Sequence, residues 1–177
     1  MQEAGDDTTL KLALPIAEGL EYIRTTVEVA NLKVNNVALI LSFFWGIRMN
    51  FNTEISNMRA GRRMWAKLMK ERYQPQNSKF LQLRAAHCQT SGYSLTKCQP
   101  SKNVVCTTMG VMAAVMGGKQ YLHTNSYDEA VGLHTPLSDR VSCNTKLILR
   151  EETGMTEVAD LWGGIVHDGE LDGRSIR

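Results

Sequence analysis

Residues 80–96 read FLQLRAAHCQTSGYSLT. The stretch starts as a strand-like apolar run and ends in small and hydroxylated residues, with His87 and Gln89 just before Gly92. A strand that turns polar at its C-terminal end suits a β/α fold, where the loops after the strands carry the site. The predicted strand is 80–87 and the polar turn follows it.

Outward from this stretch, three more short runs have strand length. Residues 39–45 (LILSFFW) are nearly continuous apolar sequence, as in a parallel strand buried on both faces, and 120–124 and 158–162 are shorter candidates. Helical patterns separate them. Residues 7–29 carry Leu10, Ala13, Leu14, Ala17, Leu20 and Ile23 at helical spacing after a cap at Asp7 or Thr8. Pro15 lies inside that pattern and predicts a kink there, or a helix that starts after it, because an interior proline costs about 3 kcal/mol.

Residues 52–72 form the strongest amphipathic pattern. Ile55, Met58, Trp65, Leu68 and Met69 share one face and Arg59, Arg63, Lys67 and Lys70 the opposite one. The basic face reads as the solvated outside of a packed helix rather than a phosphate patch. Residues 104–116 read as an apolar helix stopped by Gly117 and Gly118, residues 128–132 as a helical turn, and 136–152 as a helix closed by Gly154. Four alternations of helix and strand predict an α/β fold with parallel strands and right-handed helical crossovers. That is half of an eight-stranded β/α barrel, which typically takes about 250 residues.

Composition narrows the function classes. A net charge of +2 over 177 residues is too small to point to nucleic acid or an anionic membrane as a partner. Cys88, Cys98, Cys106 and Cys143 make no CxxC pair and no zinc-ligand spacing, so they read as reduced thiols. No apolar stretch approaches the roughly 20 residues of a membrane span, and MQEAGDDTTL has neither secretory nor transit character. A soluble chain is expected.

Several segments together carry a family resemblance. They are MQEAG at 1–5, LSFFWGI at 41–47, MNF at 49–51, MRAGRR at 58–63, HCQTSG at 87–92, MAAV at 112–115, HTN at 123–125, DEA at 128–130, NT at 144–145, EET at 151–153 and ADLWGG at 159–164. In this order and spacing the chain resembles the large subunit of adenosylcobalamin-dependent methylmalonyl-CoA mutase, most of all the animal mitochondrial form. The resemblance implies a partial TIM (β/α) barrel of roughly the last four strand–helix units, with residues 1–177 as the C-terminal half of the barrel domain and the flavodoxin-like cobalamin domain absent. It implies an isomerase that converts methylmalonyl-CoA to succinyl-CoA by radical rearrangement, in the mitochondrial matrix.

The same resemblance assigns residues. Ser42, Phe44, His87 and Gln89 are implied to contact the acyl-CoA substrate, and Glu3, Gly92, Tyr93, Glu129 and Ala130 to contact adenosylcobalamin. Tyr93 stands for the family's usual tryptophan. The family's Tyr-His pair would directly precede MQEAG, and its cobalt-binding histidine follows an aspartate, whereas His167 precedes Asp168. No residue is therefore assigned a catalytic or metal-ligating role, and the chain is expected to be a fragment inactive alone. The alternative is a truncated or decayed non-catalytic copy that acts, if at all, as a partner of a full-length mutase.

Some positions depart from the pattern. Ile40 stands for an arginine that engages CoA, Tyr121 for a small serine facing the channel, Arg48 for a glycine, and Cys106 and Cys143 for arginines. Arginine at position 48 is strained if the glycine uses a positive φ. The extra alanine of RAAHCQTSG is expected to threaten the register ahead of His87, where a one-residue slip reverses every side chain.

Overall fold

The computed structural model describes residues 2–38, 40–75, 77–83, 85–157, 160 and 162. Among them, three parallel strands form one sheet in the order β1 (Ser42–Ile47), β2 (Ala85–Thr90), β3 (Tyr121–His123). The helices are α1 (Thr8–Arg24), the single turn α2 (Val34–Val37), α3 (Phe51–Tyr73), α4 (Asn103–Met116) and α5 (Pro136–Glu151). α3 and α4 are the crossovers that make neighbouring strands parallel. The result is the expected α/β architecture of a partial β/α barrel. The expected strand at 158–162 falls largely outside the described residues, and Asp160 and Trp162 are not in a strand.

One face of the sheet makes the core. Phe43, Trp45 and Ile47 of β1 and Ala86 and Cys88 of β2 are buried against Ile55, Met58, Trp65 and Met69 of α3 and Ala113 and Ala114 of α4. The approach is close. Phe43 and Trp65 meet edge to face at 5.0 Å, a geometry worth about 0.5–1.5 kcal/mol beyond burial. A Cβ on Gly61 would come within 3.1 Å of the Trp45 ring, so glycine lets α3 lie directly on β1.

The opposite face is open, which corrects the expectation of a doubly buried strand at 39–45. β1 alternates, with Ser42 exposed at its start and Phe44 exposed between the buried Phe43 and Trp45. The apolar run misled because Phe44 is apolar and still faces out, 58% exposed. β2 also starts later than expected. Residues Ser78–Leu81 form a 3-10 turn instead, with the Asn77 side chain accepting a bond from the Lys79 amide at 2.9 Å, a local closure that competes with extended structure. The two alanines at 85 and 86 then pair with Ser42 and Phe43, so the register holds and His87 lies opposite Phe44.

α1 does not start after Pro15. It begins at Thr8, where the Asp7 carboxylate accepts from the Leu10 amide at 2.8 Å, and it continues through the proline to Arg24. Two anchors offset the proline's cost. Lys11 in the first turn is buried in an ion pair with Glu54 of α3, and Ile16, Leu20 and Ile23 enter the core. Turning Lys11 inward rotates the helix, which leaves Leu10 and Leu14 on the outside. α3 matches its sequence pattern, with the basic residues outward.

Candidate functional site

The open sheet face is the candidate site, and strand register builds it. In one cross-strand row Phe44, His87 and Tyr121 are partners, and in the next row toward the strand ends Gly46, Gln89 and His123 are partners. Alternation along each strand puts all of them on the side away from the helices. The Phe44 and His87 rings stack at 5.1 Å. Gln89 uses its amide nitrogen to bond the Asn125 side-chain oxygen at 3.3 Å, which orients it from the loop after β3.

A cavity of about 580 Å3 opens at the β1 edge of this face, lined by Lys11, Glu18 and Tyr22 of α1 and by Glu3, Ser42, Phe44, Gly46 and Gln89 among others. Its size is within the range of small-molecule sites. His87 is not on its wall. That imidazole packs on Phe44 instead, one strand further in.

The loops above the strand ends are tied together by polar contacts. Glu3 accepts from the Ser91 hydroxyl at 2.8 Å and from the Tyr93 amide at 2.9 Å, which brings the segment before α1 onto the turn after β2. Gly92 lies at the same point, where a Cβ would sit 3.6 Å from both Glu3 and Asn125. Asn103, fully buried at the start of α4, donates to the carbonyls of Thr96 at 2.9 Å and Tyr127 at 2.8 Å and accepts from the Thr96 amide at 2.9 Å. It locks the β2–α4 loop to the β3–α5 loop. Glu129 and Ala130 are in the latter, in the turn that opens with the Glu129 amide bonded to the Ser126 carbonyl at 3.2 Å.

The comparisons with known proteins decide the family. A family model described as methylmalonyl-CoA mutase matches residues 1–166. The chain is similar to the mitochondrial methylmalonyl-CoA mutase of Mus musculus, 58% identical over 164 residues that make 93% of this chain and 22% of that protein. It is 57% identical to the Homo sapiens protein over the same shares, and 47% identical to the methylmalonyl-CoA mutase large subunit of Propionibacterium freudenreichii subsp. shermanii, over 97% of this chain and 23% of that one.

The chain belongs to the methylmalonyl-CoA mutase family. It spans about a fifth of the length of the curated relatives it matches. Animal members are mitochondrial by name. Among the described residues, no helix is long and apolar enough to cross a membrane.

The nine residues picked out by resemblance to this family therefore fall in two groups. Ser42, Phe44, His87 and Gln89 share the open sheet face, while Glu3, Gly92 and Tyr93 meet above β2 and Glu129 and Ala130 lie in the adjoining loop. Ile40 is 77% exposed and Tyr121, beside His87, is 63% exposed. Arg48 is not strained: among the described residues the only non-glycine positive φ values are at Asn31 and Gln74. Its amide donates to Glu54 at 3.2 Å and its guanidinium lies 5.1 Å from the centre of the Tyr93 ring.

Sequence reasoning missed Lys11, Glu54, Asn103 and Asn125. Lys11 lines the cavity with its ammonium turned down to Glu54, and burial pulls its pKa below the usual lysine range against the opposing attraction of Glu54. A lysine on an amphipathic helix reads as surface, so only the complementary buried Glu54 reveals it. Asn103 sits at a helix start, where asparagine is common for capping, and nothing in the sequence marks it as a bridge between loops.

Proposed function

We propose that the protein acts on acyl-CoA as a methylmalonyl-CoA mutase, converting methylmalonyl-CoA to succinyl-CoA with adenosylcobalamin, and that residues 1–177 form the second half of its barrel domain. One observation carries this. The register sets Phe44, His87 and Gln89 side by side on an open sheet face next to a cavity of about 580 Å3, below loops held by Glu3 and Asn103.

The chemistry of that face suits a thioester. Imidazole and carboxamide groups supply hydrogen-bond donors for an acyl or carboxylate oxygen. Phe44, exposed on the same face, supplies an apolar wall that displaces water from the acyl chain. Ser42 adds a hydroxyl at the start of β1.

The loop residues also fit the cofactor. Tyr93 is a 63% exposed aromatic ring beside a glycine, a flat surface of the kind that packs on a macrocycle, and Glu3 fixes its backbone. Gly92, Tyr93 and Glu3 would hold the cofactor from β2, and Glu129 and Ala130 from the next loop. When bound, adenosylcobalamin supplies the radical that starts the rearrangement. The work of this chain's residues is to orient the acyl group and exclude water. The proposed compartment is the mitochondrial matrix.

A second reading, a non-catalytic copy that pairs with a full-length mutase, draws on Ile40, an exposed hydrocarbon at a position where the resemblance implies a CoA-binding arginine. Calorimetric titration of the full chain with methylmalonyl-CoA and with unacylated CoA tests the acyl site independently of turnover. The proposal expects tighter binding of the thioester, weakened about tenfold by Gln89→Ala through loss of a hydrogen bond to the acyl group. Equal heats for the two ligands, unaffected by the substitution, remove the acyl site.

A further inference from the structure

The open face carries its bulk in a single row. Phe44, His87 and Tyr121 are register partners on three adjacent strands, so their side chains leave the sheet next to each other at strand spacing, about 4.8 Å apart. Phe44 and His87 stack, and Phe44 and Tyr121 are both more than half exposed. The next row begins at Gly46, which has no side chain, and the cavity runs along β1 on both sides of Phe44, lined by Ser42, Phe44, Gly46 and Gln89. A ligand lying across the strands beside His87 thus meets a bar of three rings. At β3 the bar is a phenol, far larger than the serine implied at that position.

We propose that Tyr121 is a specificity-determining residue: its ring narrows the acyl site beside His87, so the site accepts acyl-CoA thioesters with a small acyl branch and rejects those with a longer one. This rests on the acyl-CoA reading given above. The ring acts by occupying space. Its hydroxyl, free to donate and accept, is secondary, because a rigid aromatic wall excludes an added methylene whether or not it bonds the substrate. Packing supports the bar from behind, since Leu122 and Cys88 on the opposite face belong to the core and its margin. Replacing Tyr121 therefore removes no core contact.

The test uses the full chain as wild type, Tyr121→Ser and Tyr121→Phe, titrated calorimetrically with CoA, methylmalonyl-CoA and ethylmalonyl-CoA. Wild type is expected to prefer methylmalonyl-CoA over ethylmalonyl-CoA by about tenfold or more, the usual worth of one methylene against a fitted wall. Tyr121→Ser should close most of that gap and Tyr121→Phe should preserve it. A gap unchanged in Tyr121→Ser overturns the inference while leaving the acyl-CoA site intact. A gap lost in Tyr121→Phe also overturns it, since bonding rather than bulk would then discriminate. No binding of any of the three ligands by any of the three proteins overturns the acyl-CoA reading and the inference together.

Discussion

The guanidinium of Arg48 lies over the ring of Tyr93, 5.1 Å from its centre. The two residues come from the loops after β1 and β2. Their contact is a cation–π pair at a partly exposed site, worth about 0.5–1 kcal/mol. A double-mutant cycle with Arg48→Met and Tyr93→Leu, followed by urea unfolding, should show a coupling of about that size. Strictly additive losses would mean the two side chains are neighbours without attraction.

Lys11 and Glu54 form the buried ion pair that seats the first turn of α1 on α3, with side chains 7% and 2% exposed. Removing one partner leaves a charge without compensation in a dry place. Glu54→Gln should therefore destabilise the fold by about 3–5 kcal/mol, whereas Lys11→Met combined with Glu54→Leu should cost less than the single change. Recovery will be partial, because Glu54 is also the acceptor for the Arg48 amide at 3.2 Å. Chemical denaturation of the three proteins measures it. A double variant as weak as Glu54→Gln would show that the carboxylate matters for Arg48 more than for Lys11.

The parallel strands, their helical crossovers and the inward face of α3 were legible in the sequence because apolar periodicity records burial directly. The runs at 39–45 and 80–87 were legible as strands but not in their limits, for different reasons. Phe44 is an apolar residue placed on a ligand face, so hydrophobicity overstated the burial of β1. The Asn77 side chain closes a turn that propensity alone does not weigh against extension. Pro15 predicts a kink in α1 or a start after it, and the helix instead begins at Thr8, where Lys11 pairs with Glu54, a residue far away in sequence. For the site, His87 and Gln89 stood out by type, and their alignment with Phe44 needed the pairing of β2 on β1. Asn103 could not have been found by any local pattern, since its partners are carbonyls on two different loops.

Asn103 gives the loops above the strands their fixed spacing through three bonds of 2.8–2.9 Å. Asn103→Ala should cost about 1–3 kcal/mol, since it leaves buried backbone groups unsatisfied. Hydrogen exchange adds a local readout. The Thr96 amide, which donates to the Asn103 side chain, should lose its protection while amides within β2 keep theirs. Uniform loss of protection across the chain would mean that Asn103 supports the whole fold and not the loop junction.

Cys88 gives a prediction in pH. The thiol is fully buried beside the Met58 sulfur at 3.8 Å, and burial pushes its pKa from 9.0 up to about 12, with Lys119, Lys11 and Arg62 opposing that rise. An acid whose folded pKa is raised keeps its proton in the native state after the unfolded chain has released it. Its contribution is therefore whole below pH 9 and is lost as pH rises from about 9 to about 12. The unfolding free energy should fall across that window with a slope of up to about 1.4 kcal/mol per pH unit from this group. Cys88→Ala should flatten that part of the profile, relative to its own lower baseline. At pH 8 in native buffer an aromatic disulfide reagent should label the exposed Cys98 and Cys143 readily and leave Cys88 unmodified until denaturant is added. Rapid native labelling of Cys88 would show that β2 opens from α3 far more often than a fully buried core strand allows.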